Sequence, residues 1–212
     1  MTLQLGDPAP DFRADTTLGA VEFHAWLGRS WGILFSHPRD FTPVCTTELG
    51  TIAKLKPEFE RRGVKVIGLS GDTVQSHEHW SLDILETQGV AINFPVIADL
   101  DRSVAKQYGM LHPNHDAIYT VRTVFVIDPN KRVRLTIAYP QTCGRNFNEI
   151  LRGIESLQLT DRHAVSTPAN WQPGHDVIIA PTVTDAEAHA KFPRGWRAQR
   201  PYLRVTPDPS LA

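Results

Sequence analysis

Short, continuous apolar runs alternate with stretches in which apolar residues recur at helical spacing. The runs WGILFS at 31–36 and VKVIGLS at 64–70 are typical of strands buried on both faces. Between them, the apolar residues at 49, 52, 55 and 59 share one face of a helix predicted over 43–61, and Gly63 follows as its stop. The order strand, helix, strand predicts a parallel pair joined by a right-handed crossover.

Further helices and strands are predicted toward the middle of the chain. One helix runs from Asp72 or Thr73, as N-cap, to about Thr87, and a short one runs from Arg102 to Tyr108. The runs TVRTVFVID and VRLTIAY, separated by PNKR, predict a hairpin, and a capped amphipathic helix follows at about 146–157. With an N-terminal hairpin, these elements predict an α/β, thioredoxin-like fold with a mixed central sheet.

The C-terminal part of the chain differs in composition from the rest. Seven of the sixteen prolines lie in the last 52 residues, where runs such as DVIIAPTV and YLRVTP predict extended segments joined by loops. We expect a small, mostly extended C-terminal domain without a compact core. The predicted division is 1–160 for the main domain and 161–212 for this extension.

Composition excludes several classes of function. A net charge of −1 over 212 residues, without runs of like charge, provides no basic surface for nucleic acid. No apolar stretch approaches the roughly 18 residues of a membrane span, and the N-terminus lacks the pattern of a secretory signal. Two cysteines argue against a disulfide scaffold and favour a reducing compartment. A cytoplasmic protein is therefore expected.

Cys45 lies just inside the predicted start of the 43–61 helix. Thr42 is the expected N-cap, and Pro43 suits the first helical position. Unpaired backbone N–H groups and the positive end of the helix dipole meet in this first turn and stabilise an anion. A helix N-terminus with a nearby cation lowers a cysteine pKa from about 8.5 to roughly 3.5–7.5. We therefore expect Cys45 to react as a thiolate rather than to serve as a small buried hydrophobe.

The residues around Cys45 also carry a family resemblance. Pro38, Thr42 and Cys45 have the spacing PxxxTxxC, which resembles the active-site signature of peroxiredoxins, and the longer string HPRDFTPVCTTELG is similar to their one-cysteine, peroxiredoxin 6-like branch. The resemblance extends to GRNF near 144 and to the segment that ends in YLRVTP. It implies a thiol-dependent peroxidase that reduces hydrogen peroxide and organic hydroperoxides through a cysteine sulfenic acid, without a cofactor.

The resemblance also implies partners. The reductant would be an external thiol, either a small thiol or a thioredoxin-like protein. The chain would form a homodimer or a larger ring, in which the extension at 161–212 contributes to dimerisation and covers the active site of a partner subunit.

The same resemblance assigns roles to individual residues. The Cys45 thiolate would attack the O–O bond, the Thr42 hydroxyl would donate to the bound peroxide, and Pro38 would shape the pocket and limit water access. Arg122 matches the cation that stabilises the thiolate and the leaving oxygen, against the alternative of an exposed strand charge.

Three further residues are predicted to support these four. His37 matches the histidine of the family string, and it would tune the pocket. Glu48 and Arg145 would form an ion pair that orients the helix start, a role hardly different from that of a scaffold salt bridge.

GRSWG at 28–32 is a GxSxG string, which raises a hydrolase hypothesis. In the resembled branch, a serine matching Ser30, a histidine matching His24 and an aspartate in the later hairpin are associated with phospholipase A2 activity. The aspartate position is Asn130 here, although Asp128 lies two residues away. Ser30 also precedes a strand, whereas a nucleophile elbow follows one, so a glycine-flanked turn is the favoured interpretation.

The histidine pairs 77/79 and 112/115 raise a metal hypothesis. A spacing of two on a helix points the rings apart, and no third ligand clusters with them in the sequence, so no metal is expected. Cys143 is either a resolving thiol or a packed thiol near a helix start, and the packed thiol is favoured.

Two other functions remain as alternatives. A thioredoxin-type disulfide reductase shares the fold, but the chain lacks CxxC. A redox-sensing or holdase-like interaction protein would lack peroxide turnover with a thiol donor, which distinguishes it from a peroxidase.

Overall fold

The computed structural model of the chain describes residues 3–211. Its strands are β1 (Arg13–Thr16), β2 (Gly19–Glu22), β3 (Trp31–Ser36), β4 (Val64–Ser70), β5 (Val96–Ala98), β6 (Arg122–Ile127), β7 (Val133–Tyr139), β8 (Val165–Ser166), β9 (Val177–Ile179), β10 (Arg197–Arg200) and β11 (Leu203–Thr206). Its α-helices are α1 (Phe23–Leu27), α2 (Pro43–Arg61), α3 (Val74–Gln88), α4 (Ser103–Gln107), α5 (Phe147–Arg162) and α6 (Asp185–Lys191). A short 3₁₀ helix spans Pro209–Leu211.

A seven-stranded sheet organises the larger part of the chain, in the order β2-β1-β5-β4-β3-β6-β7. Strands β3, β4 and β5 run parallel, whereas β6 pairs antiparallel with β3 and with β7. The sheet is therefore mixed, and the predicted thioredoxin-like fold is confirmed. Strand β3 lies near the centre, which explains why all six of its residues are buried.

The elements around the site follow the sequence signals closely. Helix α2 covers the predicted span, with Thr42 in extended conformation before Pro43, and Gly63 follows it at φ 65°. Helix α3 begins after Thr73, whose hydroxyl accepts from the backbone N–H of Ser76. The predicted N-terminal hairpin is formed by β1 and β2.

The chain divides into two compact units, with the boundary between Phe147 and Asn148. The predicted boundary at 160 falls inside α5, whereas the observed boundary assigns nearly all of this helix to the second unit. Leu159, close to the end of α5, packs in the hydrophobic cluster of that unit. The first unit has its own cluster, which includes Leu34, Ile67 and Phe125 from three central strands.

The second unit corrects the prediction that the C-terminal region lacks a compact core. Its four-stranded sheet has the order β10-β11-β9-β8, and helix α6 begins with a capping box formed by Thr184 and Glu187. Trp171, Val177 and Phe192 are buried in one cluster. Of the four strands, only β8 and β9 place apolar side chains in this cluster, Val165 from β8 and Val177 and Ile179 from β9, so this core has no long periodic signal in the sequence.

The core of the second unit predicts a sharp contrast between two aromatic substitutions. Phe192→Ala should lower the free energy of unfolding by about 3–5 kcal/mol, because a buried ring is lost. Tyr202→Ala, at a residue that is 76% exposed, should change it by less than about 0.5 kcal/mol. Urea unfolding of both variants measures the difference, and equal effects would contradict a packed core.

Candidate active site

Cys45 lies in the first turn of α2, and its side chain is fully buried. Thr42 is the N-cap residue by backbone conformation, but its hydroxyl donates to the Arg39 carbonyl at 2.9 Å and makes no capping hydrogen bond. The N–H groups of the first turn are therefore not consumed by this side chain. Their partial positive charge is available to an anion at Cys45. Pro38 is buried in the loop between β3 and α2.

Arg122, the first residue of β6, donates from Nη1 to the Cys45 sulfur at 3.3 Å. Its Nε and Nη2 both donate to the Gln141 carbonyl, at 2.9 and 2.6 Å, which fixes the plane of the guanidinium group. Nη1 also donates to Glu48 Oε2 at 2.6 Å. A buried, permanently charged group in contact with the sulfur favours the thiolate over the thiol.

Arg145 binds the other side of the Glu48 carboxylate. Its backbone N–H and its Nε donate to Glu48 Oε1, both at 2.8 Å, and its Nη2 donates to Oε2 at 2.7 Å. Nη1 donates to the carbonyls of Ser36 and Thr123, at 2.9 and 3.1 Å. The guanidinium group also lies 5.1 Å from the ring centre of Phe35. Arg145 thus joins helix α2 to the ends of β3 and β6.

The Glu48 carboxylate is ionised in this setting. Burial opposes its ionisation, but the charge of Arg145, its hydrogen bonds and the charge of Arg122 together hold the Glu48 pKa below the usual range. Because the Glu48 pKa is lower in the folded than in the unfolded state, the ionised carboxylate stabilises the fold at pH values above the unfolded-state pKa. That stabilisation is lost as the pH falls through the folded-state pKa.

His37 belongs to a second buried group beside the start of α2. Its Nε2 lies 2.9 Å from Asp40 Oδ1, and Asp40 Oδ2 lies 2.8 Å from His77 Nδ1 of α3. The His37 ring is also 5.3 Å from that of Trp80, whose Nε1 donates to Thr46. Sequence reasoning missed Asp40, His77 and Trp80 as neighbours of the site.

The sequence-based prediction about metal ligands is partly wrong. His77 and His79 do point apart, since His77 is buried and His79 is exposed. His77 nevertheless has a carboxylate and a second histidine as neighbours, contrary to the expectation that no third ligand clusters with it. The atom pairs that join them are at hydrogen-bond distances, so Asp40 is paired with both histidines by hydrogen bonds that need no ion.

Two family models match the chain. The model described as AhpC/TSA family matches residues 5–136, and the one described as C-terminal domain of 1-Cys peroxiredoxin matches residues 156–197. A 1-Cys peroxiredoxin of Dictyostelium discoideum is 55% identical, over 98% of this chain and 86% of the relative. The chain belongs to the AhpC/TSA family, within its one-cysteine peroxiredoxins.

Other relatives of this peroxiredoxin agree in length and in structure. Peroxiredoxin-6 of Gallus gallus is 52% identical, over 98% of both chains. The crystal structure of a mutant of peroxiredoxin 6 of Arenicola marina has a TM-score of 0.90 at 48% identity and covers 97% of this chain and 98% of its own. The structure of a yeast mitochondrial 1-Cys peroxiredoxin has a TM-score of 0.91 at 52% identity and covers 97% and 100%.

The residues of the hydrolase hypothesis are not arranged as a Ser-His pair in this peroxiredoxin. His24 Nε2 lies 2.8 Å from the Ala9 carbonyl, and its Nδ1 faces Asp11 at 3.8 Å, so both ring nitrogens are directed at other groups. Ser30 lies in the turn before β3, as predicted, rather than in an elbow after a strand. Asp128 accepts from the backbone N–H of Asn130, within the β6–β7 hairpin.

The expectation of a packed Cys143 is wrong. Cys143 is exposed, in the turn that follows β7, whereas Cys45 is buried. The turn is held by a hydrogen bond from the Cys143 N–H to the Pro140 carbonyl at 3.1 Å. The chain between β7 and α5 forms a surface turn, which leaves the thiol in solvent.

Glu48→Gln tests the carboxylate between the two arginines. The variant should lose about 3–5 kcal/mol of unfolding free energy at pH 7, because two buried guanidinium groups lose their counter-ion. Wild type should also lose stability as the pH falls below about 4.5, the ordinary value for glutamate, and the variant should lose less over that range. Urea unfolding as a function of pH measures both effects.

Glu60→Gln is the matched control for this experiment. It makes the same change in the same helix, at a glutamate that is 61% exposed and lies 3.5 Å from Lys56. Its effect should stay below about 1 kcal/mol. Indistinguishable effects of the two variants would contradict the role given to Glu48.

Proposed function

We propose that this protein is a thiol-dependent peroxidase, which reduces hydrogen peroxide and organic hydroperoxides at Cys45. The observation that carries the proposal is the contact of Arg122 Nη1 with the Cys45 sulfur, at 3.3 Å, in the first turn of α2. This geometry favours a thiolate, the form of cysteine that attacks a peroxide. Membership in the peroxiredoxins supports the same reaction.

In the proposed reaction, the Cys45 thiolate attacks one oxygen of the peroxide in line with the O–O bond. An S–O bond forms, the O–O bond breaks, and the sulfur becomes a sulfenic acid or its anion. Arg122 stabilises the charge that moves to the departing oxygen. Thr42, half-buried at the helix start, would offer its hydroxyl to the bound peroxide in place of the Arg39 carbonyl, and the buried Pro38 limits access of water. His37 contributes to the pocket from the end of β3.

An external thiol completes the proposed cycle. The structure of the related yeast mitochondrial 1-Cys peroxiredoxin concerns thiol resolution via glutathione and thioredoxin systems, which supports such a reductant here. The different burial of the two cysteines gives further support, because a disulfide requires Cα atoms within about 7 Å and aligned side chains. Cys45 is buried and Cys143 is exposed, so a disulfide between them would require at least one of the two side chains to change its environment.

We also propose a homodimer or a larger ring. Strand β7 is an edge strand of the seven-stranded sheet with largely half-buried residues, and a second copy could cover it. The apolar run at 177–179 packs inside the second unit and is therefore not free to bind a second copy. Dimerisation through the C-terminal unit and its role as a cover of a partner's active site remain predictions.

The location of the protein also remains a prediction. Within residues 3–211, no helix combines the length and the apolar character that crossing a membrane requires. A cytoplasmic location was expected from the sequence, while a relative from Saccharomyces cerevisiae that is 53% identical is named as mitochondrial.

Cys45→Ser should abolish peroxide reduction and leave the fold intact, because serine cannot supply a thiolate. Cys143→Ser makes the same change at the exposed cysteine and should keep most of the turnover. Peroxide consumption measured in parallel with glutathione, thioredoxin and ascorbate tests the activity and identifies the reductant. More than a trace of activity in Cys45→Ser would refute the proposed function.

Mass spectrometry without reductant, after one equivalent of peroxide, completes this test. We expect a sulfenic acid trapped at Cys45 and a free thiol at Cys143. A stoichiometric disulfide between the two would refute the one-cysteine cycle while leaving the peroxidase function in place.

Arg122→Ala should shift the pH profile of Cys45 alkylation to higher pH and slow the reaction with peroxide by about 10–1000-fold, the range expected on loss of one electrostatic donor. The reason is that, among the described residues, Arg122 is the only charged side chain that donates a hydrogen bond to the Cys45 sulfur. Arg134→Ala, on the neighbouring strand β7, is the control. An unmoved alkylation profile in Arg122→Ala would show that the thiolate does not depend on this arginine.

A further inference from the structure

The buried group of His37, Asp40 and His77 is more than a packing feature, provided that the proposed peroxidase function holds. All three side chains are essentially inaccessible, at 0%, 3% and 0% exposure. Asp40 Oδ1 faces His37 Nε2, and Asp40 Oδ2 faces His77 Nδ1 and the Ser76 hydroxyl, both at 2.8 Å. The carboxylate thus joins a histidine of the active-site loop to one of helix α3.

The hydrogen bonds assign the protons of this group. Burial alone would raise the Asp40 pKa, but hydrogen bonds from His37 and His77 hold it below its usual range, so Asp40 is an ionised acceptor. His77 therefore donates from Nδ1. Its Nε2 lies 3.2 Å from the Ile97 carbonyl, which can only accept. A histidine that donates from both nitrogens is an imidazolium, which would make His77 and Asp40 a buried ion pair.

His37 has the complementary arrangement. Its Nε2 must donate to the ionised Asp40, whereas its Nδ1 is buried without a hydrogen-bond partner among the described residues. Burial also lowers the His37 pKa, against the raising effect of Asp40. A neutral ring with its proton on Nε2 leaves an unshared electron pair on Nδ1. A buried acceptor without a donor is a costly feature that calls for an explanation.

The position of His37 suggests which donor it meets. The ring of Phe35 packs against Arg145, which binds Glu48 of helix α2. His37 directly follows the last residue of β3, and its backbone N–H donates to the Leu69 carbonyl of β4 at 2.9 Å. The His37 ring contacts the ring of Trp80, and Trp80 donates a hydrogen bond to Thr46, the residue after Cys45. These two contacts connect His37 to the start of helix α2.

We propose that Asp40 and His77 are positioning residues, which keep the proton of His37 on Nε2 so that Nδ1 can accept the proton of a bound hydroperoxide. The Cys45 thiolate attacks the oxygen of ROOH that carries hydrogen, an S–O bond forms, and the O–O bond breaks with its electron pair leaving as RO⁻. Nδ1 takes the proton of the attacked oxygen and returns it to RO⁻. The sulfur is oxidised, the peroxide is reduced, and the products are a sulfenate and ROH.

The first test is the tautomer of His37 in the wild-type reduced protein. Long-range ¹H–¹⁵N correlation spectra of ¹⁵N-histidine-labelled protein, assigned with His37→Gln, distinguish a protonated from an unprotonated Nδ1. We expect His37 neutral with unprotonated Nδ1, and His77 protonated on both nitrogens. A protonated His37 Nδ1 would overturn the proposal, whatever the activity.

The second test measures the consequence for the peroxide step. The asparagine of Asp40→Asn has one acceptor oxygen, whereas His37 and His77 each use one oxygen of Asp40. The proton of His37 is then free to move to Nδ1. Its rate constant with hydrogen peroxide should fall about 100-fold, at the lower end of what proton transfer contributes. His77→Gln removes the charge behind Asp40 but keeps a donor, and it should lose less. His79→Gln, the same change at an exposed histidine of helix α3, should lose nothing.

The outcomes separate the inference from the proposed function. Absence of peroxide turnover in the wild-type protein would refute the proposed peroxidase function. The spectra would still determine the tautomer of His37. A folded Asp40→Asn with an unchanged rate, or with a lower rate and an unchanged His37 tautomer, would overturn the positioning role. Stoichiometric zinc retained by wild type after chelator treatment, and lost in Asp40→Asn, would also overturn it by identifying a metal site. If Asp40→Asn fails to fold, the wild-type spectra and His77→Gln decide.

Discussion

The first unit depends on a single buried carboxylate, Glu48, held between two guanidinium groups. Arg145 connects this carboxylate to the carbonyls at the ends of β3 and β6, and Arg122 connects it to the Cys45 sulfur. Helix α2 can therefore begin at only one place relative to the sheet. Buried ion pairs are poor evidence of net stability, since desolvation offsets much of their attraction. Their value here is geometric, because the same three charges fix where the sulfur lies.

The sequence predicted the parts of this arrangement that depend on local signals. The proline and threonine before Cys45, the periodicity over 43–61 and the buried runs around it were sufficient to place the sulfur in the first turn of a helix after a central strand. The pairing of Glu48 with Arg145 came from the family resemblance, since no local pattern relates residues 97 positions apart.

The incorrect sequence-based predictions have a common physical cause: a local sequence pattern does not show which residues are buried by elements distant in the chain. His77 and Trp80 lie three residues apart in α3 and therefore on one face of the helix, which is buried. A histidine on a buried face requires a polar partner. The sequence could have prompted that question, but it could not show that Asp40 supplies the partner. The second unit was misjudged because its strands are two to four residues long and bury few side chains each. Cys143 was expected to be packed because a helix start was assumed to enclose it, whereas the preceding turn is open to solvent.

The charges around Cys45 balance only when the sulfur is an anion. Arg122 and Arg145 contribute two positive charges and Glu48 one negative charge, and the Asp40–His77 pair adds none if His77 is an imidazolium. A thiolate makes the buried set neutral, in an interior where electrostatic interactions are stronger than in water. Oxidation to a neutral sulfenic acid would leave the second guanidinium charge without a counter-ion, whereas a sulfenate would preserve the balance. The fixed charges that favour the attacking thiolate therefore also favour the anionic form of its product.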